Sequence, residues 1–217
     1  MTAEIIVFNP LDKKNLGDSV AIAMLKGQVH PLGDLPKFNG AGIYAIYYTG
    51  NFPAYAELAR RNVKGKFSAP IYVGKAVPAG ARKGGGSMFD ATVGKSLYNR
   101  LTEHAESIRA VSNLDIADFF CRYLVVDDVW IPLGEELLIT YFSPVWNRLI
   151  DGFGNHDPGK GRYQGMRPRW DVLHPGRGWA AKCKERGEMP RDIANDAAEY
   201  LRNAPVPTVD WFGIPRT

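Results

Sequence analysis

The feature that most constrains this fold is a run of isoleucine and tyrosine residues that begins and ends at glycines. Residues 40–48 read GAGIYAIYY, and residues 49–51 (TGN) close the run. Aromatic and β-branched side chains suit the pleated, half-buried surface of a sheet, and glycine with asparagine favours turns. The pattern therefore predicts a β-strand of about seven residues.

A second run, PIYVGK at residues 70–75, has the same character. Successive side chains of a strand point to opposite faces, so Tyr44 shares a face with Gly42 and Ile46, and Tyr72 shares a face with Gly74. Each strand thus carries a tyrosine beside a glycine. Because glycine leaves space above the backbone, we expect a ligand to approach there.

Apolar spacing and proline or glycine breaks predict the remaining elements. Helices are expected near residues 11–26, 53–63, 95–110, 133–142, 179–187 and 190–202, and a third strand near 118–126. Pro144 should end the helix at 133–142. The fold class is α+β, with a small central antiparallel sheet of about three strands flanked by helices.

The length of 217 residues fits one domain that buries its core without disulfides. We divide it into an N-terminal helix and arm (1–38), a core (39–150) and a loop-rich, helical C-terminal extension (151–217). No apolar run is long enough to span a membrane, and the N-terminus lacks the features of a signal peptide. Cys121 and Cys183 lie far apart without metal-ligand spacing, which favours reduced structural thiols and a cytoplasmic protein.

Positive charge is concentrated in two glycine-rich stretches, although the net charge is only +4. Residues 75–100 hold five basic residues against one acidic residue, and residues 152–178 hold five against two. Basic loops suit a polyanion better than a small neutral substrate. A DNA or RNA partner is therefore favoured over a small metabolite.

The GIY at 42–44 and the YVG at 72–74 resemble the paired signatures of the GIY-YIG nucleases. The later motifs of that family follow in order: Arg100 and His104 one turn apart on a predicted helix, Glu135 on another helix, and Asn147 after a proline. Each match alone is weak, and it is their order that makes the resemblance specific. The insert between the two strands is longer than is usual in the family.

The resemblance implies a role for each matched residue in phosphodiester hydrolysis. Such a reaction needs an activated water and a group that offsets the developing phosphate charge. Arg100 would hold the nonbridging oxygens, Tyr44 would accept or relay the proton of the water, and Tyr72 would orient the water or the phosphate. His104 and Lys75 would tune Tyr44, since a free tyrosine has a pKa near 10.

Glu135 would hold one Mg²⁺ per active site, together with phosphate oxygens and water. Glu136 is the neighbouring alternative, about 100° away around the helix. Asn147 would fix the geometry through hydrogen bonds. Tyr44, His104 and a metal-activated water are alternative general bases, and the sequence does not separate them.

Segments at 40–50, 70–80, 151–156 and 170–177 are similar to the type II restriction endonucleases of this superfamily, in the branch that cuts CCGCGG. This implies double-stranded DNA as the partner and a homodimer, because each subunit then reads half of a palindrome. His156 is expected to be structural or to contact DNA, and His30 and His174 to be structural. The candidate DNA-binding residues are Arg82, Lys83, Lys95, Lys160, Arg162, Arg167, Arg169 and Arg177.

Three other functions are compatible with parts of this pattern. A repair or homing nuclease could use the same core, but such proteins usually gain specificity from appended domains, for which this chain has little room. A non-catalytic DNA-binding homologue is disfavoured because Tyr44, Arg100 and Glu135 are all present. An ordinary α+β domain with coincidental motifs would show neither metal-dependent cleavage nor salt-sensitive DNA binding.

Overall fold

The computed structural model describes residue 9, residues 11–78 and residues 94–204, except for the side chains of residues 13, 14 and 160. Two of the predicted DNA-binding residues, Arg82 and Lys83, therefore lie outside the described residues. The side chain of a third, Lys160, is also outside them.

The described strands form an antiparallel four-stranded sheet, in agreement with the predicted α+β class. The strands are β1 (His30–Pro31), β2 (Gly42–Tyr48), β3 (Tyr72–Ala76) and β4 (Phe119–Val125), in the spatial order β1-β4-β2-β3. β2 is central and pairs with both β3 and β4. All seven of its residues are buried, so both faces of the sheet are covered.

The register between β2 and β3 places Tyr44 opposite Gly74 and Ile46 opposite Tyr72. Because directly opposite residues of paired strands point to the same face, this register places both signature tyrosines on one face of the sheet. The prediction of free space above the glycine is wrong at Gly74. A Cβ atom there would collide with the hydroxyl of Tyr44, so the tyrosine ring itself fills that space.

Helices cover both faces of the sheet. They are α1 (Lys13–Leu25), α2 (Ala56–Asn62), α3 (Ser96–Arg109), α4 (Ile131–Phe142), α5 (Val145–Arg148), α6 (Arg169–Leu173) and α7 (Pro190–Asn203). Apolar side chains of α1 and α4 pack with Ile43, Ala45 and Tyr47 on one face. The opposite face, with Tyr44 and Ile46, packs against α3 and the C-terminal elements. No described helix has the length and apolar content needed to cross a membrane.

The end of α4 follows the predicted break. Ser143 adopts a left-handed conformation (φ 43°), and Pro144 then begins the short helix α5. After this break the chain returns to the sheet. The backbone N–H of Trp146 donates to the carbonyl of Ile71, just before β3.

The predicted helix at 179–187 is wrong. Only a single 3-10 turn forms, at Ala180–Lys182, and the chain then runs beside Gly165–Arg167. The N–H of Lys184 donates to the carbonyl of Gly165, and the N–H of Arg167 donates to the carbonyl of Lys184. These tertiary backbone bonds take the place of helical ones, which local apolar spacing does not reveal.

Candidate active site

A cleft with a volume of about 830 Å³ lies beside the open edge of β3. Its walls include Tyr44, Tyr72, Lys75, Arg100, Glu135 and His156. Five of these side chains were predicted to act in catalysis or to support it, and they come from β2, β3, α3 and α4. His104 lies behind the cleft, in contact with Tyr44. The fold thus brings together residues that are up to 91 positions apart in the sequence (Tyr44 to Glu135).

The innermost part of the site is a contact between Tyr44 and His104. The hydroxyl of Tyr44 lies 2.6 Å from Nε2 of His104, and both side chains are buried. Burial lowers the pKa of His104 well below its usual value, and the charge of Arg100 lowers it further. Burial also raises the pKa of Tyr44 well above its usual value, and Arg100 opposes this shift. At neutral pH Tyr44 is therefore protonated and His104 is neutral, and a hydrogen bond joins the two side chains.

Arg100 projects from α3 one turn before His104. Its Nη2 donates to the carbonyl of Gly154 at 2.7 Å, and its Nη1 donates to Glu103 at 3.0 Å and contacts His156. The guanidinium is thus held on two sides and borders the cleft. A planar cation in this position can bind the oxygens of a phosphate.

Lys75 and Glu135 form an ion pair at the cleft edge, with Nζ and Oε2 2.6 Å apart. Glu135 is on α4 and Lys75 is on the edge strand β3, so the pair joins the helix to the sheet. Glu136 is exposed and does not belong to the cleft lining. Of the two candidate glutamates, Glu135 is therefore the one that faces the site.

Asn147 lies outside the cleft and acts on the backbone. Its Oδ1 accepts from the N–H of Val73, and its Nδ2 donates to the carbonyl of Val73, each at 2.8 Å. Val73 lies between Tyr72 and Gly74, so these bonds fix the strand that carries the second signature tyrosine.

The cleft lining fits a hard cation, because it includes the carboxylates of Glu135, Asp128 and Glu103; Glu103 pairs with Arg100, and Glu135 is the one that the family motif marks. Among the described residues, no group of three or more His, Cys, Asp and Glu side chains could hold a metal. Glu135 points a carboxylate into a cleft that is open enough to admit phosphate and water. Mg²⁺ is commonly bound by one or two carboxylates with water and substrate phosphates. Glu135 is therefore the residue that would hold it.

The predicted DNA-binding residues divide into two groups. Lys95 and Arg162 are exposed and form no side-chain hydrogen bond or ion pair with the described residues. Arg167 donates to the carbonyls of Ala180 and Ala181. Arg169 is bound to Glu188 and Asp196. The side chains of Arg167 and Arg169 thus hold the C-terminal extension together, which favours a structural role.

Arg177 departs furthest from its predicted role. It is only 6% exposed and its side chain is surrounded by protein acceptors. A buried and fully bonded guanidinium cannot contact DNA without unfolding its surroundings, so the prediction of DNA contact does not fit its position. The sequence shows the charge of Arg177 but not the acceptors that surround its side chain in the fold.

The loop at residues 152–156 supplies contacts that the sequence analysis did not assign. The ring of Phe153 stacks on His104, with centroids 4.5 Å apart and planes at 16°. His156 borders the cleft and lies 3.6 Å from Glu103. The only signal in the sequence was the similarity of segment 151–156 to the restriction enzymes, which gave no role to Phe153 or Gly154.

A comparison with curated proteins found no match. A family model described as the Eco29kI GIY-YIG domain matches residues 36–201, which is more than half of the chain and includes every residue predicted to be catalytic. The described sheet and helices are those expected of a GIY-YIG domain. The chain therefore belongs to the Eco29kI GIY-YIG family of restriction endonucleases, and it is a nuclease that binds DNA.

Proposed function

We propose that this protein is a Mg²⁺-dependent type II restriction endonuclease that cuts a short GC-rich palindrome, CCGCGG, in double-stranded DNA. The observation that carries the proposal is the meeting of Tyr44, Arg100 and Glu135 in one cleft, with His104 behind Tyr44. These groups can accept a proton, bind a phosphate and hold a divalent cation.

The proton of the attacking water leaves through Tyr44 in this proposal. The water oxygen forms the new bond to phosphorus and gives its proton to the Tyr44 oxygen, while Tyr44 passes its own proton to Nε2 of His104. A neutral His104 that carries its ring proton on Nδ1 leaves Nε2 to accept this proton. The resulting imidazolium is disfavoured by burial and by Arg100, so it returns its proton after the reaction.

Arg100 offsets the charge that develops on the phosphate. Its guanidinium is already fixed by Gly154 and Glu103, so little reorganisation is needed when the substrate binds. Tyr72 lines the same cleft and orients the water or the phosphate. The P–O bond to the leaving strand breaks, and solvent water protonates the departing oxygen.

Glu135 would hold the Mg²⁺. When bound, the cation supplies Lewis acidity to the phosphate and lowers the energy of the leaving oxygen. Lys75 neutralises the same carboxylate across 2.6 Å. Lys75 thereby holds the carboxylate of Glu135 in place at the edge of the cleft.

DNA recognition is assigned to exposed basic side chains that form no hydrogen bond or ion pair with the described residues. Arg162 and Lys95 are the described candidates, and arginine is well suited to the major-groove edge of guanine. Arg82 and Lys83 stay in the proposal from the sequence. A homodimer on DNA places one active site at each strand of the palindrome.

The decisive experiment is digestion of a plasmid of known sequence in Mg²⁺ and in EDTA, with sequencing of the fragment ends. We expect discrete fragments in Mg²⁺ that end at CCGCGG and none in EDTA. Fragments at another palindrome would overturn the proposed site but not the restriction activity. Cleavage without sequence preference would favour a repair nuclease, and DNA binding without cleavage would favour a non-catalytic homologue.

A further inference from the structure

Every N–H donor of the Arg177 guanidinium forms a hydrogen bond within the protein. Its Nε and Nη2 donate to the carboxylate of Asp171, at 2.7 and 2.6 Å. Its Nη2 also donates to the carbonyl of Gly152 at 2.8 Å, and its Nη1 donates to the carbonyls of Phe153 and Asn155, each at 3.1 Å. A guanidinium has five N–H groups, and all five are accounted for.

Two indole rings fix the position of this cation. The Cζ of Arg177 lies 4.5 Å from the ring centroid of Trp170 and 4.7 Å from that of Trp179. Asp171, its ionic partner, is itself buried at 4% exposure. The guanidinium therefore has one position in the fold, and so do the carbonyls to which it donates.

The carbonyls of four successive loop residues are shared between two arginines. Arg177 binds those of residues 152, 153 and 155, and Arg100 binds that of Gly154 at 2.7 Å. The loop thus acts as a bridge between a buried cation and the cation that borders the cleft.

The same loop also contacts the proton acceptor. Phe153 is fully buried and stacks on His104, and it lies 5.0 Å from the ring of Tyr72. Gly154 lets the loop come close, because a Cβ there would lie 2.7 Å from the Tyr72 hydroxyl and 3.3 Å from Nη2 of Arg100. A shift of this loop would therefore move Arg100 and loosen the packing on His104 together.

We infer that Arg177 is a positioning residue for DNA cleavage, which acts by holding the loop at 152–155 against Arg100 and His104. The inference rests on the proposed roles of Arg100 and His104. Arg177 touches neither the cleft nor the reacting atoms. Its position acts on the reaction through the backbone carbonyls of the loop, and its charge, which also lowers the pKa of His104, is kept in Arg177→Lys.

The test is Arg177→Lys, which keeps the charge but loses the planar fork. Displacing reacting groups by about 1 Å can cost about 100-fold in rate, so we expect a fall of that order in the single-turnover cleavage rate. The dissociation constant for DNA, measured without metal, should stay within about 3-fold, because Arg177 does not face the DNA. In an Arg100→Ala background, Arg177→Lys should lower the rate by a clearly smaller factor.

Arg122→Lys is the matched control. Arg122 also donates to backbone carbonyls, those of Gly27 and Phe67, and its guanidinium lies over the ring of Tyr47. It acts on the opposite face of the sheet, among the residues that pack with α1 and α4. Arg122→Lys should lower thermal stability and leave the cleavage rate of the folded protein unchanged.

A second variant and a second readout cover the case in which Arg177→Lys does not fold. Asp171→Asn keeps the shape of the side chain that binds Arg177 but weakens the bond between them. The cleavage rate should therefore fall by a smaller factor than in Arg177→Lys. The imidazole of His104, followed by ¹⁵N NMR during a pH titration, should become easier to protonate in either variant, because the loosened Phe153 lets water in. That readout does not require cleavage.

These outcomes separate the inference from the proposed function. Absence of cleavage by the wild-type protein would refute the proposed function, and the His104 titration would still decide whether Arg177 holds the loop against His104. A wild-type rate in Arg177→Lys, an equal loss in the Arg100→Ala background, or an unchanged His104 titration would overturn the inference.

Discussion

The hydroxyl of Tyr44 lies 2.6 Å from Nε2 of His104, and both side chains are buried. If they form one proton relay, Tyr44→Phe and His104→Ala should each lower the cleavage rate by about 100-fold or more. The double variant should be little worse than either single one, because both remove the same relay. Tyr47→Phe is the control, since Tyr47 lies in the same strand but on the opposite face. If the two losses multiplied in the double variant, Tyr44 and His104 would act independently and not as one relay.

Glu135→Ala should abolish Mg²⁺-dependent cleavage and preserve DNA binding in a mobility-shift assay, because it removes the carboxylate that would hold the metal. Glu136→Ala should behave like the wild type, since Glu136 is exposed and outside the cleft. Mg²⁺-dependent cutting that survives in Glu135→Ala would remove Glu135 from the metal site.

Arg100→Ala should cost about 3–4 kcal/mol of transition-state stabilisation, as other lost electrostatic donors do. Arg109→Ala is a close control on the same helix. Arg109 likewise pairs with a glutamate three residues away, Glu106, and likewise donates to a glycine carbonyl, that of Gly33. The cleavage rate of Arg109→Ala should match that of the wild type. A near-normal rate in Arg100→Ala would exclude a direct role for Arg100.

Gly74→Ala should damage both the fold and the reaction, because its new methyl group would occupy the space of the Tyr44 hydroxyl. Overpacking a core typically costs about 1–3 kcal/mol, which urea denaturation would detect. Cleavage should fall as Tyr44 is displaced. Gly161→Ala is the control, since a Cβ there meets nothing within 4 Å. An unchanged cleavage rate in Gly74→Ala would show that the ring of Tyr44 can move without loss of activity.

His174 makes stability depend on pH. Tyr55 accepts a hydrogen bond from the Trp146 indole and so donates its own proton to Nε2 of His174, whose Nδ1 faces Asn113. Burial lowers the pKa of His174 to about 3. Its contribution is therefore complete above the unfolded pKa near 6.5, and it is lost as the pH falls toward 3.

The corresponding measurement is the free energy of unfolding at pH 7.5 and pH 4.5. The free energy of unfolding that is lost between pH 7.5 and pH 4.5 should be about 2–3 kcal/mol smaller in His174→Gln than in the wild type, because glutamine takes up no proton in this range. His104 should account for part of the loss that persists, since its pKa is lowered too. Equal losses in the two proteins would show that His174 is accessible to protons in the native state.

Local chemistry was sufficient to predict the central part of this fold. The strand at 42–48 follows from its β-branched and aromatic content, and α3 and α4 follow from apolar spacing and a terminal proline. The grouping of Tyr44, Arg100 and Glu135 came from the order of family motifs. Spacing alone gives only the face on which each side chain lies.

What the sequence could not show depends on tertiary partners. Arg162 and Arg177 look alike in a glycine-rich basic stretch, yet one is exposed and the other is buried with five hydrogen bonds. Lys184 lies in a segment with helical apolar spacing, but its backbone bonds to that of Gly165 and Arg167. In each case a distant acceptor decides the outcome, and such acceptors are invisible in a linear pattern.

The two bonds from Asn147 to Val73 have a consequence beyond the cleavage site. β3 is the last strand on its side of the sheet, and an open strand edge is a template for pairing with another chain. The amide of Asn147 makes the pair of bonds that a neighbouring strand would make at this residue. One side chain therefore occupies the edge at Val73, and its loss would leave two backbone groups of β3 available for pairing with another copy of the protein.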